Sequence, residues 1–183
     1  TAGEYTIFGV DGGSREILQV RGRMGAVVEA PAVYQELTGK ENLEVQYRVL
    51  GRKDFNTIPG LLELVGLGNT GRKKVKNFSL GMRQRLGIAV ALAGEPELLI
   101  LDEPVNGLDP QGIIEMRRLL QKLNREIGVT ILISSHILDE LSKLATHYGF
   151  IDKGRMVEEM EAADMGEDLE KHYMKLMGGD WNE

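Results

Sequence analysis

A run of four aliphatic residues that stops on two carboxylates, Leu98-Leu99-Ile100-Leu101-Asp102-Glu103-Pro104, constrains this chain more than any other feature. The run lacks polar alternation and is bounded by a turn, which fits a strand covered on both faces, as in a parallel sheet between helices. A second run of the same kind, Thr130-Ile131-Leu132-Ile133-Ser134, follows. Between them Gln111 to Glu126 reads as a helix, with Ile113, Met116, Leu120, Leu123 and Ile127 as one apolar stripe. Strand and helix in alternation predict an α/β fold with a mainly parallel sheet and flanking helices. With 183 residues, 42% hydrophobic and 27% charged, the chain has material for one sizeable core and a solvated surface.

Elsewhere the pattern is local. Glu4-Tyr5-Thr6-Ile7-Phe8 reads as a short strand stopped by Gly9, and Arg23 to Val28 as a second. Thr38-Gly39-Lys40-Glu41 is a capping box ahead of a helix from Asn42 to Leu50. A further helix from Ile58 to Val65 ends in Gly66, Gly68 and Gly71, and Ser79 opens one that reaches about Ala93. Ile137 to Ala145 is helical, Tyr148 to Asp152 and Arg155 to Glu158 form a hairpin about Lys153-Gly154, and a tail helix from Asp168 to Met177 docks through Leu169, Tyr173 and Leu176 before Gly178-Gly179. The expected organisation is a core of residues 1–30 and 78–160, a helical subdomain of residues 31–77 and a C-terminal tail of residues 161–183.

Several classes of function are excluded or disfavoured. The chain has no Cys, hence no disulfide framework and no thiolate metal site, which is compatible with a reducing cytoplasmic compartment. A net charge of −6, from 22 Lys and Arg against 28 Asp and Glu, argues against a nucleic-acid grip, and Arg72-Lys73-Lys74 reads as a solvated loop. No aliphatic run approaches the roughly 20 residues of a membrane-spanning helix, and Thr1 to Tyr5 shows no signal-peptide pattern, so membrane association is expected only through a partner.

The candidate chemistry lies at strand ends. Open α/β sheets bind ligands at the carboxyl ends of their strands, which is where Asp102 and Glu103 fall; an Asp there can hold Mg²⁺ through water and a Glu can deprotonate a hydrolytic water. The plainer reading is that these acids end a strand in a solvated turn. His136, after the second aliphatic strand, is placed to meet a phosphate or to cap. Ser79 and Gly81 open a helix whose free N–H groups suit an anion, although Ser is also a common N-cap. Asp109 before Pro110 is an N-cap by itself.

Taken together and in order, these segments resemble the ATP-binding-cassette (ABC) ATPases. Ser79-Leu80-Gly81-Met82 is similar to the signature motif, Leu98 to Pro104 to the Walker B strand, Asn106 to Pro110 to the D-loop and Ser135-His136 to the H-loop. Gly3 to Gly9 resembles the strand after the P-loop helix, Met24 to Pro31 the Q-loop, and Leu37 to Leu43 part of the helical subdomain, so the likeness covers essentially the whole chain. It implies ATP and Mg²⁺ as ligands, with Asp102 and Glu29 on the metal side, Glu103 as general base and His136 as γ-phosphate sensor. Ser79, Gly81 and Met82 would face a nucleotide held by a second, identical subunit, and Asp109 would cross the seam. The implied protein drives a membrane permease from the cytoplasmic face; a translation or DNA-repair ABC protein and a non-catalytic interaction module are the rival readings.

Three departures from the family pattern stand out. Leu80-Gly81-Met82 replaces two glycines and Gln, and Glu29 replaces the Q-loop Gln; both resemble the exporter branch that handles peptide antibiotics such as bacitracin and lantibiotics. A carboxylate at Glu29 accepts hydrogen bonds but cannot donate them. Third, no G-x-x-x-x-G-K-[ST] occurs: Gly66 to Lys73 ends in Arg72-Lys73, and Gly39-Lys40 is followed by Glu41. The expectation is therefore a P-loop NTPase-like core whose leading strands and P-loop precede Thr1. Such a chain would be inactive alone and would self-associate through strands such as Leu98 to Leu101 left without neighbours.

Overall fold

The computed structural model describes residues 3–166 and 168–178 and divides into two compact units, residues 1–134 and 135–183. The first contains β1 (Thr6–Ile7), β2 (Val10–Asp11), α1 (Ile17–Arg21), β3 (Met24–Val27), α2 (Gly39–Val49), α3 (Ile58–Leu64), α4 (Leu80–Leu92), β4 (Leu98–Asp102), α5 (Pro110–Arg125) and β5 (Thr130–Ser134). The second contains α6 (Leu138–Ser142), β6 (His147–Asp152), β7 (Arg155–Glu161) and α7 (Leu169–Leu176).

The three-stranded sheet of the first unit is parallel, in the order β3-β4-β5, with Val27 opposite Leu101 and Asp102 opposite Ser134. The expectation that Leu98 to Leu101 lack neighbours is thus corrected: β4 is the central strand, paired on both sides, with Leu99 and Leu101 fully buried. The sheet's edges among the described residues are β3 and β5. Nor is β5 covered on both faces as its aliphatic run predicts, since Leu132 is 59% exposed and only half-burial is reached at Ile131 and Ile133.

Helix α4 lies close on β3. A Cβ on Gly25 would come 2.6 Å from the Ala91 carbonyl oxygen, and one on Gly87 2.6 Å from Pro31 Cβ. These two glycines set the spacing between helix, strand and the loop that follows the strand. Arg52 donates from Nη1 to the Ala93 carbonyl at 2.7 Å, which satisfies a carbonyl at the C-terminal end of α4. The stripe on α5 is Met116, Leu119, Leu120 and Leu123; Ile127 lies beyond the helix end and is half exposed, contrary to the sequence pattern.

The local signals read from sequence reappear. Thr38 accepts from the Glu41 N–H at 3.2 Å while the Glu41 carboxylate accepts from the Thr38 N–H at 2.7 Å, the reciprocal capping box. Leu43, Tyr47, Ile58, Leu62 and Val65 bury one shared face of α2 and α3. The opening strand is shorter than expected: only Thr6 and Ile7 pair, with β2, across a Phe8-Gly9 turn whose φ values of 52° and 77° suit a tight hairpin.

In the second unit β6 and β7 pair antiparallel about Lys153-Gly154. Tyr148, Phe150 and Leu169 form its small core, against which Tyr173 and Leu176 of α7 pack, so the tail docks through the residues expected. Burial pushes the Tyr148 hydroxyl above its ordinary pKa. His172 Nε2 lies 2.9 Å from the Glu158 carboxylate. Gly178 has a φ of 67°, as a helix stop should; Gly179 and the following tail residues, like Thr1 and Ala2, lie outside the described residues.

Candidate functional site

Two neighbouring parallel strands deliver acids to one place. At the end of β4, Ser134 Oγ donates to Asp102 Oδ1, and the Glu103 N–H donates to both the carbonyl (3.1 Å) and the hydroxyl (3.2 Å) of Ser134. Glu103 has a φ of 49°, and Glu29, just past β3, one of 54°. A left-handed backbone at a non-glycine residue is disfavoured by about 1 kcal/mol or more and concentrates at functional sites. Here it turns both strands out of the sheet so that Glu29, Asp102 and Glu103 line one cleft of about 690 Å³, with Arg83 and Gln84 of α4. Asp102 and Glu103 thus lie at the carboxyl end of β4, where the sequence placed them, and the structure brings Glu29, at the exit of β3, beside them.

Sequence reasoning missed two groups. From sequence Ser134 is only a strand end, yet its register opposite Asp102 marks it as the residue that orients that carboxylate. Gln84 is 6% exposed and lines the cleft. Its spacing from Gly87 and Ala91, the two positions of closest helix approach, was the available signal.

The N-terminal turn of α4 is built differently. Ser79 Oγ accepts from the Met82 N–H at 3.2 Å, and Arg83 Nη1 donates to the Phe78 carbonyl at 2.7 Å. Among the described residues a Cβ on Gly81 would meet only Leu108 Cδ2, at 3.6 Å, an ordinary contact. The turn containing Leu108 and Asp109 thus lies against this end of α4. Asp109 Oδ1 accepts from the Gly112 N–H at 2.8 Å as the N-cap of α5, with Pro110 in the first helical turn. An ion pair from Arg85 to Glu115 joins α4 to α5. A hydrogen bond from Gln111, and then that ion pair, hold the Glu115 carboxyl below its ordinary pKa. His136 belongs to the second unit, where it is exposed beside a turn in which Ser135 Oγ accepts from the Ile137 N–H at 3.0 Å.

Among the described residues no group of three or more His, Asp or Glu side chains is arranged to hold a metal ion unaided, and no helix is long and apolar enough to cross a membrane. A profile described as ABC transporter matches residues 1–106, more than half of the chain. The chain belongs to the ABC transporter family. Among ABC relatives it is 50% identical over 162 residues to the bacitracin transport ATP-binding protein BcrA of Bacillus licheniformis, covering 87% of this chain and 52% of BcrA. It is 47% identical over 151 residues to the lantibiotic transport ATP-binding protein SrtF of Streptococcus pyogenes, covering 82% and 65%. A solved ATP binding subunit of an ABC transporter superposes with a TM-score of 0.71 at 30% identity, over 86% of this chain and 69% of that one. The chain thus spans about half to two thirds of the length of these two curated relatives.

Proposed function

We propose that this chain carries the carboxylate and signature side of an ATP-hydrolysing ABC subunit that powers export of a peptide antibiotic or related compound. The observation that carries the reading is the convergence of Glu29, Asp102 and Glu103 on one cleft at the carboxyl ends of parallel strands. The bacitracin and lantibiotic relatives support the cargo class. In this reading the partners are a membrane permease and a second identical subunit, and the work is done at the cytoplasmic face of the membrane.

The residues suit Mg²⁺, an ion that typically keeps several waters and takes one or two carboxylates plus substrate phosphates rather than a full protein cage. Asp102, fixed by Ser134, and Glu29 would hold it, and when bound it would neutralise charge on the ATP phosphates. Glu103 accepts a proton from the attacking water as the water oxygen bonds to the γ-phosphorus. The bond from that phosphorus to the bridging oxygen breaks, ADP leaves with the electron pair, and Glu103 returns the proton to solvent. His136 steadies the γ-phosphate. Ser79, Gly81 and Met82 meet the nucleotide of the opposite subunit, with Asp109 at the seam.

The 183 residues contain no P-loop sequence, so the chain by itself is expected to bind Mg-ATP with a Kd of about 1 mM or weaker, at most about −4 kcal/mol, by calorimetry. Carried behind an ABC phosphate-binding segment, it is expected to release phosphate from ATP. Glu103→Gln should then lower kcat by about 100-fold or more while ATP still binds. Micromolar binding by the chain alone, or normal turnover in Glu103→Gln, would refute the assignment.

A further inference from the structure

Two turns of this chain lie against each other through leucines seated on glycines. Leu80 Cδ2 stands 3.2 Å from where a Cβ on Gly107 would be, and Leu108 Cδ2 stands 3.6 Å from where one on Gly81 would be. Leu80 and Gly81 open α4, while Gly107 and Leu108 precede Asp109, the N-cap of α5. Apolar contacts of this kind are non-directional: they hold the turns together without setting the angle at which the two helices leave them.

A second attachment sets that angle. Arg85 and Glu115 each lie six residues past the N-cap of their own helix, Ser79 and Asp109, which is about 9 Å along the axis at about 1.5 Å per residue. At that depth Arg85 Nη1 donates to Glu115 Oε2, and Gln111 Nε2, from the first turn of α5, donates to Glu115 Oε1 at 3.0 Å. Both carboxylate oxygens are thereby held. The Arg85 side chain is 14% exposed, and its Nε is buried near Gly66, with no partner among the described residues. The guanidinium therefore depends on the charge-assisted bond to Glu115. Leucines at one level and an ion pair at another fix α4 to α5 at two points, which sets spacing and angle together.

We propose that the Arg85–Glu115 pair is a strut that holds the Ser79–Met82 turn and the Asn106–Asp109 turn as one face, and that Arg85 and Glu115 are positioning residues for hydrolysis across the seam. Neither touches the nucleotide; they act through Ser79, Gly81 and Asp109. This inference rests on the reading above in which these turns meet a second subunit and its nucleotide. A change of angle displaces one turn while the other stays in place, and a misplacement of about 1 Å can cost on the order of 100-fold in rate. The stability at stake is small by contrast, because the Glu115 side chain is 41% exposed.

The test uses Arg85→Met and Glu115→Met, which replace the pair by unbranched apolar side chains. In the 183-residue chain each variant should quicken hydrogen exchange on the opposite helix: Glu115→Met at the Met82 N–H capped by Ser79, and Arg85→Met at the Gly112 N–H capped by Asp109. The Glu41 N–H in the capping box of α2 should be unchanged. In the chain carried behind a phosphate-binding segment, each variant should lower kcat about tenfold with KM for ATP little changed, at a temperature where it remains folded. The double variant should be no slower than the slower single one. A residue that serves stability alone leaves kcat of the folded protein unchanged. Should Arg85→Met fail to fold, Glu115→Met, at the more exposed position, decides the matter. Normal kcat in Glu115→Met, unchanged exchange at Met82, or a double variant slowed by the product of the two single effects overturns the strut alone when Gly81→Ala is slow. Normal kcat in both Glu115→Met and Gly81→Ala overturns with it the reading that these turns meet a nucleotide.

Discussion

Gly81 and Gly87 lie on the same helix, and the chain itself requires only one of them. At Gly87 a Cβ would sit 2.6 Å from Pro31, so the glycine is what lets α4 lie against the loop that carries Glu29. At Gly81 the same Cβ would find ordinary contact with Leu108 at 3.6 Å. A helical glycine is about 1 kcal/mol less favourable than alanine, so Gly81 is retained at a cost that packing within this chain does not offset. One end of α4 is shaped by the fold; the other, in the function proposed above, is the end that meets a nucleotide from outside. The same contrast separates Leu99, buried inside β4, from Glu103, held in a left-handed conformation at its exit.

Substitutions can break or sharpen this contrast. The largest effect is expected at Gly25, where a Cβ meets the Ala91 carbonyl oxygen, a backbone atom that cannot rotate away. Gly25→Ala should lower stability by about 3 kcal/mol in chemical denaturation, near the upper end for overpacking. Gly87→Ala should cost less, about 1–2 kcal/mol, because helix propensity recovers part of the strain. Unchanged stability in both would show that α4 sits more loosely than the contrast demands.

Asp109→Ala removes the cap of α5 and should cost about 1 kcal/mol; Ser79→Ala, with the longer capping bond of 3.2 Å against 2.8 Å, should cost less. A smaller effect belongs to Glu115. Because its folded pKa is lowered, the stability it adds is present above the usual carboxylate range and is lost as the pH falls through the lowered value. Thermal melts taken from neutral to acid pH should therefore decline less steeply in Glu115→Gln than in the unchanged chain.

How much of this was legible from sequence depends on how local the cause is. The Thr38 capping box, the Asp109-Pro110 start of α5 and the β4 carboxylates were readable because a few adjacent residues determine them. Of the cleft, only the strand end carrying Asp102 and Glu103 was readable; part of its wall comes from α4, whose apolar residues surround it too evenly to reveal which side faces Glu29. Gln84 therefore passed as an ordinary helix residue. Ile127 was misplaced because periodicity continued past Arg125, where the helix ends. The pairing of Leu98 to Leu101 and the exposure of Leu132 follow from tertiary arrangement, which no strand's own sequence specifies.

The most direct test of the account pairs two measurements on Gly81→Ala: thermal stability of the 183-residue chain, and ATP turnover when the chain is carried behind a phosphate-binding segment. If the turn at the start of α4 is kept bare for a nucleotide presented by a second subunit, the variant gains up to about 1 kcal/mol of stability while turnover falls by about tenfold or more. A loss of stability with turnover intact would contradict the account, because it would mean that Gly81 serves the fold and not a ligand.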